Sequence, residues 1–295
     1  MWLFYVLLSA FGWALTNVLD SSIVHNHEKK PMALMWSQSM LSLPILAVLF
    51  FIVPLETSWL PVLLFFGVLG YFGDLWFFHV LEHVDVSITN IAWSILSLLL
   101  VACGFFFFGE TWGTMQSVGA VLIISGSLIL SFYHQKVDLY RMLWLVTSLA
   151  LLYLPYYIVK KMAIDDGVNP ATVFFWMIFA REIFSFSLPW FFPKVRHIAI
   201  NTMRMSWHFM AINAAVIVCF FLAEYAGTLA YKHGPLSLVA IVSNIQPFMV
   251  MGLAGLVVFF VPSKAPKELL TRQSVKLKIL CFLIVFTGLA LIADF

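Results

Sequence analysis

The chain is 295 residues long, 63% of them hydrophobic and 10% charged, with a formal net charge of +2. A charged fraction this far below the roughly 25% of an average soluble domain excludes an ordinary water-soluble fold. The small net charge, with no dense basic run, excludes nucleic acid as a partner.

Apolar runs of about 20 residues, bounded by polar or Pro/Gly breaks, divide the chain into ten expected membrane spans. The first, Trp2–Val24, lacks a positively charged start and a small-residue cleavage site, so it reads as a span and not as a removed signal. It carries Ser9, Trp13, Asn17 and Asp20 along its length. Met32–Val53 is the second. The third, Trp59–Leu81, holds Asp74 and ends in His79-Val80-Leu81-Glu82-His83. H-x-x-E-H on a helix puts two histidines on one face beside a glutamate, the pattern of one class of zinc protease. A zinc enzyme also needs a third ligand and an open coordination position, and short motifs match by chance. The stretch is therefore expected to be the polar end of a span, with no bound metal.

The fourth span, Val86–Phe108, shows Ser87, Asn90, Ser94 and Ser97 on one helical face, with Trp93 beside them. A polar stripe avoids lipid and lines either a packed interface or a cavity. Trp112–Tyr133 is the fifth span. Leu139–Met162, the sixth, contains Pro155 within "LPYYIV", where a freed carbonyl suggests a kink with Tyr156 or Tyr157 facing substrate. The seventh, Pro170–Phe192, carries the adjacent Arg181 and Glu182, and the eighth, Met205–Tyr231, carries Glu224. Between them "PKVRHIAINTM" reads as a longer loop. The ninth, Leu236–Val261, shows Ser237, Asn244, Gln246 and Pro247, and Val275–Ala293 is the tenth. Cys103, Cys219 and Cys281 all lie inside apolar stretches, in an odd count and without metal-ligand spacing.

The two halves look duplicated. "HVDVSI" at His83–Ile88 pairs with "HGPLSL" at His233–Leu238, and the same shift of 150 places Asp74 on Glu224 and Ser94 on Asn244. Nearer the N-terminus a shift of 139 places Ser9 on Ser148 and Pro31 on Pro170. The same register puts Leu229 and Lys232 where the first half has His79 and Glu82, so the second half has no copy of the metal-like motif. An odd number of spans per half gives the halves opposite orientations, and inverted repeats place a substrate site near the midplane at their interface. The expected fold is an all-α integral membrane protein of ten transmembrane helices in two inverted five-helix repeats, residues 1–135 and 136–295.

The end of the first half, "SLLLVACGFFFFGETWGTMQSVGAVLIISGSLIL", resembles the EamA-type family of the drug/metabolite transporter superfamily. Its members show a span ending in Gly-Glu, a short polar turn, then Gln-x-x-Gly opening the next span with a further glycine after it. Here those residues are Gly109-Glu110, Gln116, Gly119 and Gly126. The second half departs, with "VPSKAPKELLTRQS" and no Gly-Glu after the ninth span. The resemblance implies a small-molecule transporter without prosthetic group or catalytic residues, and Arg181 matches an arginine common in the family's corresponding span.

Ionisable residues inside spans are costly and mark functional sites or the ion pairs that hold a bundle together. Arg181 with Glu182 is the expected structural ion pair. Asp74 and Glu224 would leave an acidic surplus that favours a proton or a cationic or zwitterionic substrate. The expected substrate-binding residues are Trp13, Asn17, Asp74, Asn90, Trp93, Ser94, Tyr156, Glu224, Asn244 and Gln246.

Together these features lead to a secondary transporter, expected to be an exporter, of a small polar or amphipathic metabolite, amino-acid-like or cationic. It would sit in the plasma or inner membrane as a monomer or homodimer, with protons as the candidate coupling ion and no cofactor. The alternatives are a nucleotide-sugar or sugar-phosphate antiporter, which two cavity lysines would support, and an intramembrane zinc hydrolase using His79, Glu82 and His83. By loop parity, 12 Lys and Arg fall on one side and three, Lys160, Lys161 and Lys232, on the other. That bias puts both termini outside. The family resemblance puts them inside.

Overall fold

The computed structural model describes residues 1–26, 30–54, 56–83, 86–132, 139–204, 206–260 and 272–293, and every regular element among them is helical. The first half contributes α1 (Trp2–Asn26), α2 (Pro31–Leu49), α3 (Leu60–His83), α4 (Val86–Phe107) and α5 (Thr114–Phe132). Then come α6 (Leu139–Asp165), α7 (Pro170–Phe191), α8 (Pro193–Met203), α9 (Trp207–His233), α10 (Leu236–Val242), α11 (Gln246–Phe260) and α12 (Arg272–Ala293). Among the described residues, seven helical stretches are long and apolar enough to cross a membrane. Three more expected spans fall on apolar helices of 10–17 residues, Ile91–Phe107, Thr114–Ile129 and Ile279–Ile292.

Helix starts follow local chemistry. Pro31, Pro170 and Pro193 open α2, α7 and α8, where the missing N–H is one the helix does not use. The Asn169 side chain caps α7 by accepting from Ala171 N at 2.9 Å, and the Ser206 hydroxyl caps α9 by accepting from Phe209 N at 3.3 Å. Phe65, Phe106, Trp144 and Leu222 are exposed, while Asp20, Lys160, Arg181 and Glu224 are buried. Apolar outside and charged inside is the arrangement a bilayer selects.

One segment differs from expectation. "PKVRHIAINTM" is not an irregular loop but the helix α8, with Val195, Ala199 and Thr202 buried and Lys194 and Arg196 exposed. Their near four-residue spacing puts one face of α8 on α7 and α2 and leaves its basic residues outward.

α1 packs on α9, α3 on α6 and α7, α4 on α6 and α10, and α5 on α12. The α5–α12 crossing requires glycine. A Cβ on Gly119 would lie 2.6 Å from the Gly288 carbonyl oxygen, and one on Gly288 would lie 2.6 Å from that of Gly119. Backbones this close pack without a hydrophobic driving force between helices, through small residues alone.

The Gly-Glu and Gln-x-x-Gly residues acquire structural roles here. Gly109 has φ +61°, a left-handed conformation that favours glycine. It turns the chain after α4 so that the Glu110 N–H bonds back to Gly104 O at 3.0 Å. The Glu110 carboxylate then reaches α10, accepting from the N–H groups of Leu236 and Ser237 and from the Ser237 hydroxyl. These are donors that the start of a helix leaves without intrahelical partners, so Glu110 caps a helix 126 positions away. Gln116 closes its own helix start, its Oε1 accepting from Gly113 N at 3.0 Å.

Candidate functional site: a charged cavity between the helices

The span containing Asn244 changes helix type in its middle. α10 ends at Val242, a 3-10 turn covers Ser243–Ile245, and α11 begins at Gln246, directly before Pro247. Asn244 clasps this turn to α4. Its Nδ2 donates to Ser97 Oγ at 2.8 Å, and its Oδ1 accepts from Ser94 Oγ at 2.9 Å. From α5, Ser127 Oγ donates to the Asn244 carbonyl at 3.0 Å. The serine stripe of α4 thus packs in part against the turn and faces the cavity in part, since Ser97 lies in its wall and Ser94 does not.

A cavity of about 120 Å³ lies between α1, α2, α3, α4, α6, α7, α9 and the span of α10 and α11. At 10–15 Å³ per water it holds on the order of ten waters, the scale of a small metabolite. Of the expected site residues, Trp13, Asn17, Asp74, Trp93, Glu224, Asn244 and Gln246 are in its wall. Ser94 and Tyr156 stand behind the wall, bonded to Asn244 and Glu224 respectively. The Asn90 side chain lies outside the described residues.

Two charged clusters flank the cavity. In the first, Arg181 Nη1 donates to Asp74 Oδ2 at 2.8 Å and Arg181 Nε to Glu182 Oε1 at 2.9 Å. The guanidinium lies over the Phe220 ring, 4.0 Å from its centroid, and Tyr153 donates its hydroxyl to Asp74. The expected Arg181–Glu182 pair is present, but Arg181 holds Asp74 as well.

The second cluster contains a residue that the sequence reading assigned to a loop. Lys160 is 1% exposed and directly paired with Glu224. Glu224 Oε1 also accepts from Tyr156 OH at 2.7 Å. Tyr153, Tyr157 and Lys160 all line the cavity at positions i, i+4 and i+7, so the signal was a helical face that continues past the apolar run. Asp20 also lines the cavity and accepts from Gln38 Nε2 at 3.1 Å, with no cation in contact among the described residues. Four buried or half-buried carboxylates, of Asp20, Asp74, Glu182 and Glu224, therefore surround two buried cations, Lys160 and Arg181.

Two buried donors at the wall, Asn17 Nδ2 and Trp93 Nε1, have no hydrogen-bond partner among the described residues. Such groups are expensive to leave unpaired, so they favour an occupant or a second conformation that supplies acceptors.

His79 is half-buried, its ring 5.1 Å from that of Trp76. The Glu82 and His83 side chains lie outside the described residues. Among the described residues there is no group of three or more His, Cys, Asp or Glu that could hold a metal ion.

Residues 1–132 match the model of the EamA-like transporter family. A crystal structure of another protein superposes with a TM-score of 0.69 at 17% identity, covering 98% of this chain and 95% of that one, a likeness of fold. No curated protein matches the chain.

Proposed function

We propose that the protein is a secondary transporter that moves a small polar or amphipathic metabolite bearing a positive charge, amino-acid-like or simply cationic, through the cavity between its helices. The observation that carries this reading is the charge of the cavity, where three carboxylates in the wall, Asp20, Asp74 and Glu224, face two cations, Lys160 and Arg181, and Glu182, outside the wall, also pairs with Arg181. An acidic surplus in a low-dielectric interior attracts a cationic group or a proton and repels an anion. The match of residues 1–132 to a transporter family supports the transport reading. Export, proton coupling and a place in the plasma or inner membrane complete the proposal.

The proposed architecture is ten spans in two inverted repeats, residues 1–135 and 136–295. Helix neighbours support it, because exchanging the halves maps the pairs onto one another. α1 packs on α9 as α6 packs on α3, and α4 packs on α6 as α10 and α11 pack on α1. Asp74 and Glu224, related by the shift of 150, line one cavity. The 3-10 turn at Ser243–Ile245 is a local distortion of this span beside the cavity, of the kind that often marks a functional site.

Two cavity lysines would favour a sugar-phosphate or nucleotide-sugar antiporter; among the described residues the wall holds one, Lys160, beside Arg181. Both cations are already neutralised by carboxylates, however, leaving no net positive surface for a phosphate. The discriminating experiment is counterflow in proteoliposomes with labelled amino acids, organic monocations and sugar phosphates. Exchange of a cation or zwitterion is expected. Exchange of sugar phosphates alone would overturn the reading.

A further inference from the structure

Lys160, Glu224, Tyr156 and Tyr157 form an arrangement with a chemistry of its own. Glu224, from α9, contacts the Lys160 ammonium directly. The Lys160 Nζ also lies 4.6 Å from the Tyr156 ring centroid and 5.4 Å from that of Tyr157. A carboxylate with two aromatic faces around one positive nitrogen is how proteins recognise ammonium ligands. Here the nitrogen belongs to the protein. Tyr157, Lys160 and Glu224 line the cavity, so the cage opens onto space that an occupant can reach.

We propose that this cage is an ammonium-binding site which Lys160 fills when the cavity is empty, and that the ammonium of a ligand competes with Lys160 for Glu224. The proposal rests on the reading of the cavity as a substrate path. Its physical logic is that a lone carboxylate in the membrane interior is costly, so the empty protein needs a cation against Glu224. A ligand ammonium replaces that cation without stranding the carboxylate. A neutral or anionic ligand leaves the pair closed.

The two clusters differ in how readily they exchange. Arg181 is held by two carboxylates and stacked on Phe220. Lys160 has one carboxylate and a flexible four-carbon stem. The neighbouring Lys161 cannot substitute for it, because its Nζ donates to Asp165 at 2.7 Å and to Tyr231 O at 3.0 Å.

Lys160→Ala removes three methylenes and the ammonium, the outline of propylammonium. In thermal melting, Lys160→Ala should melt below wild type and recover on adding propylammonium chloride, saturably and at concentrations roughly tenfold lower than any wild-type response. Sodium chloride and propanol should give no recovery, and Lys160→Ala/Glu224→Gln should not respond. An equal response in wild type and Lys160→Ala, or a response kept in the double variant, would overturn the proposal. If Lys160→Ala gives no folded protein, Lys160→Met keeps the stem and vacates only the ammonium, and ammonium chloride is the probe with the same expected pattern. A Glu224-dependent response without flux in proteoliposomes would sustain the cage and sink the transport reading. Flux without such a response would do the reverse.

Discussion

Ser94 and Asn244, 150 positions apart in the chain, meet side chain to side chain, the serine hydroxyl donating to Asn244 Oδ1 at 2.9 Å. The amide of Asn244 also binds Ser97, so a single side chain fastens the 3-10 turn in the ninth expected span to α4. Asn244→Ala removes both attachments in a buried site, and the expected loss is about 1–3 kcal/mol. Ser94→Ala removes one, with an expected loss of about 1 kcal/mol. Thermal unfolding in detergent should rank the variants Asn244→Ala below Ser94→Ala below wild type. A wild-type melting temperature for Asn244→Ala would show that the turn does not depend on this clasp.

Glu110 holds the opening turn of α10 from the far side of the chain. Replacing a helix-capping acceptor costs about 0.5–2 kcal/mol. Glu110→Ala should fall in that range. Glu110→Gln should lose less, because its amide oxygen still accepts from one of the two N–H groups. Melting temperatures of the two variants test the ranking, and equal losses would mean that the charge, and not the hydrogen bonds, supports the helix.

How far the sequence could be read depended on whether a residue's role was local. Long apolar runs mark helices whatever they pack against, so the helical, multi-span character of the chain was legible, with seven stretches among the described residues long and apolar enough to cross a membrane. The polar faces were legible for the same reason, since Ser9, Trp13, Asn17 and Asp20 recur at helical spacing on an otherwise apolar span. Lys160 was not, because a lysine near the end of an apolar run looks the same whether it leaves the membrane or turns inward. Only Glu224, 64 positions on, decides between the two. The helix α8 was missed because its short buried stripe of Val195, Ala199 and Thr202 is diluted by polar neighbours. Glu110 was visible as a motif, but its partner α10 was not.

The H-x-x-E-H stretch should hold no catalytic metal. A shift of 150 places Leu229 and Lys232 on His79 and Glu82, and the His79 ring packs on Trp76. Elemental analysis of purified protein should find no stoichiometric zinc, and His79→Ala should keep most of the flux. Zinc present at one equivalent and lost in His79→Ala would reinstate the hydrolase reading.

Lys160 also bears on orientation. It and Lys161 are both buried within α6 and are not loop charges, so the sparse side keeps one loop cation, Lys232, against the 12 on the other. The charge rule then puts the loops around Lys29 and Lys267 on the cytoplasmic side, with both termini outside. Cysteines introduced at these two positions should resist membrane-impermeant thiol reagents in intact cells and react after permeabilisation. Labelling of both in intact cells would instead place the termini inside, as the family resemblance implies.

The two acids related by the shift of 150 should differ in what their loss does. Asp74→Asn leaves Arg181 with Glu182, so the guanidinium keeps a carboxylate and the loss of stability should be modest. Glu224→Gln leaves Lys160 with no carboxylate in contact, and an uncompensated buried charge costs about 3–5 kcal/mol. Glu224→Gln should therefore melt well below Asp74→Asn. The double variant Lys160→Met/Glu224→Gln removes both charges and fills the space with apolar stem, and replacing a whole buried pair in this way is often neutral or stabilising. It should recover most of the stability lost in Glu224→Gln while failing to transport an ammonium-bearing substrate. Melting temperature and counterflow measured on the same preparations separate the two effects. If Asp74→Asn proves the less stable single variant, Glu182 does not compensate Arg181 and the division into two clusters fails. If the double variant transports normally, Glu224 is a scaffold residue and the cationic group of the substrate is held elsewhere in the cavity, with Asp20 as the next carboxylate to replace.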